Sequence, residues 1–410
     1  MSGVARTQRH AAGEASRPLP PPIWYLALCS ASGVIGLTVL TPLIPLIRDS
    51  LQTTSSAVQQ LLTCYLFALA AGQLIWGPLS DRFGRRPILL VGAVLFTLGG
   101  IAVVLFNDIG LLVIARTLQG IGGASILAMA RAMVNDAYER TEAARQMSTI
   151  SMILSVAPAL SLAFSGWLAE QAGWKSTITL LVACGILTLF LGLRLVVETH
   201  HNRPQRLNFD SIVAAYSAVL RSPVFNLWTV ASGMQVGIFF CLNAFLAYQY
   251  QRNGYSVTEF GLWFALTPLF YLIGNTFNRS WFVHKGIELA ALTGCVLSLI
   301  SGLSMFATQA LGYTHALSLA LPCCLFGFAN GIVVANTTVG AIAAAGEHRG
   351  TGTGIVGAAQ MATGGVAGAL IVALGGAQHF SVGAGVVIAM ACLSVLAMLT
   401  VYKHRPVAPY

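Results

Sequence analysis

Long apolar runs alternate with short polar intervals along almost the whole chain. Twelve of these runs are close to or above the length of about 20 residues with which an α-helix crosses the roughly 30 Å hydrocarbon layer of a bilayer. Because the runs contain very few charged side chains, each one predicts a membrane-spanning helix. The predicted spans are residues 24–46, 57–79, 88–106, 110–131, 148–170, 177–197, 225–250, 258–278, 287–308, 314–340, 350–375 and 381–402.

The composition excludes a typical soluble domain. Charged residues form 9% of the chain and hydrophobic residues form 56%, and the mean hydropathy is +0.76. About a quarter of the residues in a soluble domain are charged. We therefore predict an all-α membrane protein.

The longest polar interval inside the membrane region covers residues 198–222 and separates six predicted spans from six. Its position predicts a cytoplasmic linker between two helical bundles. We accordingly divide the chain into five parts. They are a disordered cytoplasmic tail (1–22), a first six-helix bundle (23–197), the linker (198–222), a second six-helix bundle (223–402) and a cytoplasmic C-terminal tail (403–410).

The basic residues favour one orientation in the membrane. If the N-terminus lies inside the cell, the outer segments hold only Arg48, Lys175 and Arg252, and the inner segments hold the other basic residues that lie outside the apolar runs. Short loops rich in Lys and Arg stay cytoplasmic. We predict a bacterial-type inner-membrane protein with both termini in the cytoplasm. The net charge of +9 then reflects topology and not binding to nucleic acid.

The densest cluster of charge lies between the second and third predicted spans. Residues 77–87 read Gly-Pro-Leu-Ser-Asp-Arg-Phe-Gly-Arg-Arg-Pro, and charge at this density predicts a short loop at the membrane surface. The segment resembles the loop after the second helix of major facilitator transporters, whose pattern is Gly-x-x-x-Asp-Arg-x-Gly-Arg-Arg. The matching residues are Gly77, Asp81, Arg82, Gly84, Arg85 and Arg86. We expect Gly77 and Gly84 to permit close helix approach and tight turning.

Further segments extend this resemblance. The sequence Arg116 to Gly120 resembles the fourth-helix motif of the family, and residues 130–136 resemble the next loop in the Bcr/CflA-type exporters of bicyclomycin and chloramphenicol. A weak echo of the first motif places Asn278 where Asp81 stands. The resemblance implies the major facilitator fold, with twelve transmembrane helices in two pseudo-symmetric six-helix bundles that rock about a central substrate site.

The resemblance also gives the charged motif a role in gating. It implies that Asp81, Arg85 and Asp136 form a latch that holds the two bundles together at the cytoplasmic face and releases them during the transport cycle. A predicted helix begins near Arg349 on the same side as Asp81. A carboxylate near a helix N-terminus stabilises the structure by about 0.3–1 kcal/mol, which suits a reversible contact. The alternative is a surface ion-pair cluster that only fixes topology and contributes ~0–1 kcal/mol.

Arg116 lies well inside a predicted helix. A charge there costs at least about 2.5 kcal/mol, so the side chain must face the bundle and have a partner. One interpretation is an element that couples charge or protons, or that anchors an anionic group of the substrate. The other is a strut that donates hydrogen bonds to backbone carbonyls and to Gln119 or Gln73.

No acidic residue falls at the centre of a predicted helix. Many exporters of the resembled type carry a first-helix carboxylate, where this chain offers only hydroxyl groups. Proton coupling would then have to use Asp81, Asp136, a histidine such as His315 or His379, or the substrate itself. The fifth span keeps Pro158, which predicts a helix kink, but lacks most glycines of the antiporter motif.

Polar and aromatic side chains inside the apolar runs are the candidates for substrate binding. A site that is mostly apolar with a few polar groups suits a drug-sized or metabolite ligand. The alternative for each side chain is a hydrogen bond between helices. The candidates are Tyr65, Gln73, Gln119, Gln235, Asn243, Tyr248, Asn330, Asn336 and Gln360.

These features predict a secondary active transporter that exports drug-like or metabolite small molecules and is coupled to the proton gradient. The alternatives are an exporter of one polar or anionic metabolite, such as a siderophore, and a facilitator. The sequence has no phosphate-binding loop and no zinc-ligand spacing, so we expect neither an enzyme nor a cofactor or metal. The expected partners are a small-molecule substrate, protons and membrane lipid, and the expected state is a monomer.

Overall fold

The computed structural model describes residues 21–138, 140–200, 209–282 and 285–403, and every regular element in these ranges is helical. This confirms the prediction of an all-α protein. The α-helices are α1 (Ile23–Thr38), α2 (Ile44–Ser50), α3 (Ser55–Phe83), α4 (Arg85–Leu105), α5 (Ile109–Ala137), α6 (Arg140–Ala172), α7 (Trp174–Leu195), α8 (Phe209–Leu220), α9 (Pro223–Arg252), α10 (Val257–Phe277), α11 (Ile287–Ala310), α12 (Ala316–Ala344), α13 (Arg349–Ala373) and α14 (Phe380–Lys403).

Twelve segments of the described chain are long enough to cross a membrane. Eleven are long and apolar enough by composition, and α6, with 33 residues, also exceeds the required length. The first span is interrupted: a short 3₁₀ turn at Thr41–Leu43 joins α1 to α2. Pro42 in this turn has no N–H to continue the helix. The twelve spans of the predicted fold are therefore present.

Polar side chains cap the first turns of several membrane helices. The side chains of Thr54, Asp108 and Ser222 accept hydrogen bonds from first-turn N–H groups of α3, α5 and α9. Ser256 and Glu259 form a reciprocal capping box at the start of α10. These caps satisfy backbone donors that a helix leaves unpaired at its first turn.

Small residues allow the helices within each half to approach closely. A Cβ atom on Gly122 of α5 would collide with the backbone nitrogen of Phe96 in α4. In the second half, a Cβ on Gly331 of α12 would collide with the carbonyl oxygen of Tyr271 in α10. Glycine at such contacts lets two backbones pack without side chains between them.

Two pairs of long helices join the first six spans to the second six. Helix α3 packs along α13, and α6 packs along α10. In the second pair the glycines are reciprocal: Gly166 lies against the carbonyl of Val257, and Gly261 lies against the carbonyl of Leu162. The remaining space between the halves forms the central cavity described below.

The predicted loop at residues 77–87 is wrong in extent. Helix α3 continues to Phe83 and α4 begins at Arg85, so Gly84 alone separates them. Its φ of 101° requires a residue that tolerates positive φ, which confirms the expected tight turn. Charged residues can continue a helix beyond the hydrocarbon layer, and apolar length therefore underestimates helix length.

One further helix end differs from the sequence prediction for the same reason, and the predicted linker contains a short helix. Helix α5 runs six residues past the predicted end at residue 131, to Ala137. The predicted linker, residues 198–222, contains the short helix α8, whose Tyr216 hydroxyl donates a hydrogen bond to the Leu74 carbonyl at 3.2 Å. Burial raises the pKa of Tyr216, so its hydroxyl stays protonated and remains a donor.

Candidate functional site

A cavity of about 410 Å³ lies between the two halves of the molecule. Helices α1, α5 and α6 supply its walls from the first half, and α9, α10, α12 and α13 supply them from the second half. Its lining residues are Val34, Leu37, Thr38, Arg131, Leu154, Pro158, Val236, Phe239, Phe240, Thr267, Pro268, Tyr271, Asn275, Gly327, Asn330, Val334 and Met361. We call this space the central cavity.

Three polar residues of α10 line the central cavity, and they follow one another at a regular interval in the sequence. Thr267, Tyr271 and Asn275 are four residues apart, so they lie on one face of the helix. Asn330 of α12 lines the same cavity. Within the described residues, the hydroxyl of Thr267 and the amide oxygen of Asn330 have no hydrogen-bond partner although both are buried. Such groups are available to a ligand.

Arg131 brings a positive charge to this cavity. It lies six residues before the end of α5, about 9 Å inside the helix terminus, and its side chain is exposed to the cavity space. No hydrogen bond or ion pair to Arg131 occurs within the described ranges. The predicted end of this span at residue 131 placed Arg131 in a loop, and the longer helix moves it into the cavity wall.

The described lining of the central cavity contains no carboxylate. The histidines that the sequence offered as proton carriers lie at the face opposite Gly84: His315 caps the start of α12 by accepting a hydrogen bond from the Leu317 N–H at 3.2 Å, and His379 precedes α14. Neither lines the cavity. Asp81 and Asp136 lie at the other face, which we call the arginine-rich face because Arg82, Arg86, Arg194 and Arg349 lie there.

Of the nine side chains predicted to bind substrate, Asn330 is the one that lines the central cavity. The other eight lie outside this lining. Gln235 is buried in the second half, where it donates to Ser394 at 3.2 Å and accepts from Ser298 at 2.9 Å. Asn243 is also buried and donates to the Phe239 carbonyl at 2.6 Å. Gln235 therefore joins helices of the second half, whereas Asn243 bonds within α9 itself.

Two further candidates lie between the halves but away from the cavity lining. Gln73 of α3 lies against Gly357 of α13, where a larger residue than glycine would collide with its amide oxygen. Tyr248 of α9 lies under the guanidinium of Arg48, 5.2 Å from the ring centroid. Both contacts hold one half against the other.

The remaining pair of polar candidates also join helices. Asn336 of α12 donates to the side chain of Asn278 at 2.8 Å. Gln360 of α13 donates to the hydroxyl of Ser232 in α9 at 2.7 Å. Polar residues in apolar helices are easily mistaken for ligand contacts, because a hydrogen bond to a distant helix leaves no local pattern.

Arg116 is fully buried in the first half, where its guanidinium has three hydrogen-bond acceptors. Its guanidinium donates to the carbonyl of Gly36 at 2.8 Å, to the carbonyl of Leu61 at 3.3 Å and to the side chain of Gln119. It also lies 4.2 Å from the ring centroid of Tyr65. This geometry matches the strut interpretation, and it explains why Tyr65 and Gln119 are absent from the cavity.

The proposed latch residues form a cluster on the arginine-rich face. Arg85 contacts Asp81 at 2.7 Å and Asp136 at 2.9 Å. The Asp81 side chain is 49% exposed, and Gly350 at the start of α13 has no atom within 4 Å of its would-be Cβ. In this structure the cluster therefore links α3, α4 and α5 of one half and does not close onto α13.

The other residues of the charged motif lie at the surface. The guanidinium of Arg82 lies 5.1 Å from the ring centroid of Phe83, and Arg86 donates to the Leu193 carbonyl at 3.3 Å. Gly77 has open space around its would-be Cβ. The expected close helix approach at Gly77 is therefore wrong for this conformation. Close approach occurs instead at Gly354 and Gly357 of α13.

At the opposite face a carboxylate of one half binds the helix start of the other. Glu170, near the end of α6, accepts a hydrogen bond from the backbone N–H of Thr258 at 2.9 Å and another from its hydroxyl. Thr258 lies in the first turn of α10. This contact, together with the Gly166 and Gly261 contacts, joins the two halves on that side.

A second space, of about 600 Å³, is larger but lies on the outer surface of the first half, between α1, α6 and α7. Its lining is apolar and includes the exposed side chains of Leu160 and Phe164. Size alone does not make it a substrate site, because it lacks the convergent polar groups that fix a ligand. The central cavity has such groups on both walls.

Pro158 lies inside the continuous helix α6 and lines the central cavity. Three residues later, the Ser161 hydroxyl is 2.6 Å from that of Thr38 in α1. The first-helix hydroxyl that replaces the expected carboxylate is therefore tied to α6. The sequence signal that was missed is the Thr267, Tyr271 and Asn275 stripe, whose spacing of four marks one helix face.

The fold and the cavity define a multi-pass membrane transporter, in which two pseudo-symmetric sets of helices enclose a space of substrate size. The model of the Major Facilitator Superfamily matches residues 26–369. The chain belongs to the Major Facilitator Superfamily, and it is a transporter and not an enzyme. The family and fold predicted from the sequence are thus confirmed.

Known proteins of this kind resemble the chain along most of its length. It is 25% identical to the bicyclomycin resistance protein homologue of Haemophilus influenzae, over 90% of this chain and 94% of that protein. It is 28% identical to multidrug resistance protein D of Escherichia coli, over 82% of this chain and 84% of that protein. A bacterial homologue of the human lysosomal transporter Spinster has the same fold, with a TM-score of 0.73, 15% identity and coverage of 94% and 98%.

Proposed function

We propose that the protein exports drug-like small molecules across a bacterial inner membrane by alternating access, coupled to the proton gradient. The observation that carries the proposal is the central cavity, whose walls come from both halves of the molecule. A site shared between two halves changes its access when the halves rock against each other. The bicyclomycin and multidrug resistance names of the relatives support the choice of substrate.

The contacts at the two faces support a conformation that is open on the arginine-rich side. Glu170 and Thr258 join the halves at the opposite face, whereas Asp81 pairs with Arg85 and makes no hydrogen bond to α13 within the described residues. During export, closure on the arginine-rich face would bring Asp81 to the first-turn N–H groups of α13. The latch then forms in one state and breaks in the other.

We assign the arginine-rich face to the cytoplasm, because Lys and Arg accumulate in cytoplasmic loops. Both termini then lie in the cytoplasm. The two bundles are residues 23–197 and 223–402, and residues 198–222 are the linker that lets them move. We take the monomer as the working unit, because the cavity is built from one chain.

Proton coupling has no carboxylate in the described cavity lining to rely on. In the cluster on the arginine-rich face, the Asp136 carboxylate lies 2.9 Å from Arg85 and 4.0 Å from His200. We propose that protonation in this cluster loosens the latch. A proton would then act at the gate and not at the substrate.

The test is transport by the purified protein in proteoliposomes with an imposed pH gradient. We choose radiolabelled chloramphenicol as the probe, because a similar protein is a chloramphenicol resistance protein. With an acidic lumen, an antiporter accumulates the probe inside, and nigericin abolishes the accumulation. Protein-free liposomes are the control. Equal movement with and without the pH gradient would contradict coupling.

A facilitator is the second candidate. The described cavity lining has no carboxylate, and this favours a carrier that needs no midplane proton site. A facilitator brings the probe to equal concentrations on the two sides and does not accumulate it, with or without a pH gradient. The same assay therefore separates the two functions.

A further inference from the structure

Arg131 is the one charged side chain among the described residues that line the central cavity. It has no hydrogen-bond or ion-pair partner within the described ranges. Arg116 and Arg85, two other arginines of the first half, differ in this respect. Arg116 donates to carbonyl groups and Gln119, and Arg85 pairs with carboxylates.

The guanidinium of Arg131 is exposed to the cavity, and its N–H donors have no partner within the described residues. A ligand that carries an oxyanion can accept hydrogen bonds from these donors. Guanidinium groups bind carboxylates and other oxyanions with two parallel hydrogen bonds, which are stronger than bonds between neutral groups. The position of Arg131 therefore favours an anionic ligand over a cationic one.

A second, independent observation indicates that the cavity is built for a ligand. Thr267 and Asn330 are 2% and 8% exposed, and their polar oxygens lack partners in the described part of the chain. Both residues belong to the second half, whereas Arg131 belongs to the first. Phe239 and Phe240 add aromatic wall. A ligand with an apolar body and an oxyanion would contact all of these groups at once.

We infer that Arg131 makes the central cavity selective for apolar, aromatic molecules that carry a carboxylate or a similar oxyanion. The inference rests on the proposed function in one respect, which is that it takes the central cavity as the substrate site. It adds the charge class of the substrate and the residue that recognises it.

The test uses three probes of one size and shape: 2-naphthoate, its neutral amide 2-naphthamide, and the cation 2-naphthylmethylammonium. Binding to the full-length protein in phosphatidylcholine nanodiscs is measured by equilibrium dialysis, with empty nanodiscs as the blank. We expect wild type to bind 2-naphthoate about tenfold or more tightly than the other two probes, as a charge-assisted hydrogen bond allows. Arg131→Gln should bind 2-naphthoate and 2-naphthamide equally.

Arg145→Gln is the matched control, because Arg145 is 79% exposed on the same face and lies outside the cavity lining. It should keep the wild-type preference. Arg131→Lys keeps the charge but loses the paired donors, so the preference should shrink without disappearing. Asn330→Asp places a carboxylate in the same cavity, and it should weaken binding of 2-naphthoate about tenfold.

A preference for 2-naphthoate that survives in Arg131→Gln would overturn the inference. So would a wild-type protein that prefers the cation or binds none of the probes. If Arg131→Gln is not monodisperse in size-exclusion chromatography, Asn330→Asp decides the matter, and unchanged affinity for 2-naphthoate in that variant counts against the inference. Binding needs no pH gradient, so a failure of proton-driven transport leaves these results interpretable.

Discussion

The carboxylate of Glu170 accepts the backbone N–H of Thr258 at 2.9 Å and also the hydroxyl of the same residue. Glu170 belongs to the first half and Thr258 to the first turn of α10 in the second half. A negative charge at a helix N-terminus is favourable, so this contact is equivalent to the latch expected for Asp81 at the other face. In this structure the contact of Glu170 with α10 is formed, and the expected contact of Asp81 with α13 is not.

Glu170→Ala should weaken closure at the face opposite the arginine-rich one. Because the side chain is exposed, we expect a loss of about 0.5–1 kcal/mol, which shifts the conformational equilibrium about two- to fivefold. Distances between spin labels at Gln171 and Ala310 in a cysteine-free background measure the shift. Glu347→Ala, on the arginine-rich face, is the control and should leave the distances unchanged.

Asp81→Asn should reduce turnover more than substrate binding. Among the described residues, Asp81 forms an ion pair with Arg85 and is half exposed, so its loss costs little in this conformation. The state closed on the arginine-rich face would lose the contact with α13, and we expect turnover to fall about tenfold. Transport rates and equilibrium binding of chloramphenicol are compared in one preparation. Wild-type turnover in the variant would show that the cluster only fixes topology.

Gly331→Ala should destabilise the second half. A Cβ atom at this position would collide with the Tyr271 carbonyl and come within 2.8 Å of the Asn275 nitrogen, and the backbones of α10 and α12 must then separate. Overpacking of this kind costs about 1–3 kcal/mol. The expected result is a lower thermal unfolding midpoint in detergent. Gly385→Ala, whose site is open, should keep the wild-type midpoint.

Arg116→Lys should lower stability despite keeping the charge. Three acceptors on different elements, namely the Gly36 and Leu61 carbonyls and the Gln119 amide oxygen, receive the donors of one planar guanidinium. An ammonium group cannot serve all three in this geometry, and we expect a loss of about 2–3 kcal/mol. Thermal unfolding measures it. Arg145→Lys at an exposed site should have no effect, and an equal loss there would contradict the strut.

Much of the fold is predictable from the sequence because the bilayer imposes a simple rule. Apolar length defines a span, and the spacing Gly-x-x-x-Asp-Arg-x-Gly-Arg-Arg marks one junction. The helix ends were less predictable, since Arg131 and Asp81 continue helices beyond the apolar run. A helix begins at a capping residue such as Asp108 and ends at a turn residue such as Gly84. Neither kind of residue belongs to the hydrophobic pattern.

The residues of the candidate site, in contrast to the fold, were poorly predictable from the sequence. Gln235, Asn336 and Gln360 have the composition expected of ligand contacts, yet each bonds to another helix. Whether a polar side chain meets a cavity or a neighbour depends on how helices rotate and pack. Local sequence does not contain that information.

By itself the sequence determined the twelve spans, the family and the charged face, because hydrophobic length and local motifs are properties of consecutive residues. Only the tertiary structure decided that Arg131 and not Arg116 lines the central cavity, and that Glu170 meets Thr258 across the two halves. The physical reason is that helix packing brings together side chains far apart in sequence, and the burial of each charge depends on those distant partners.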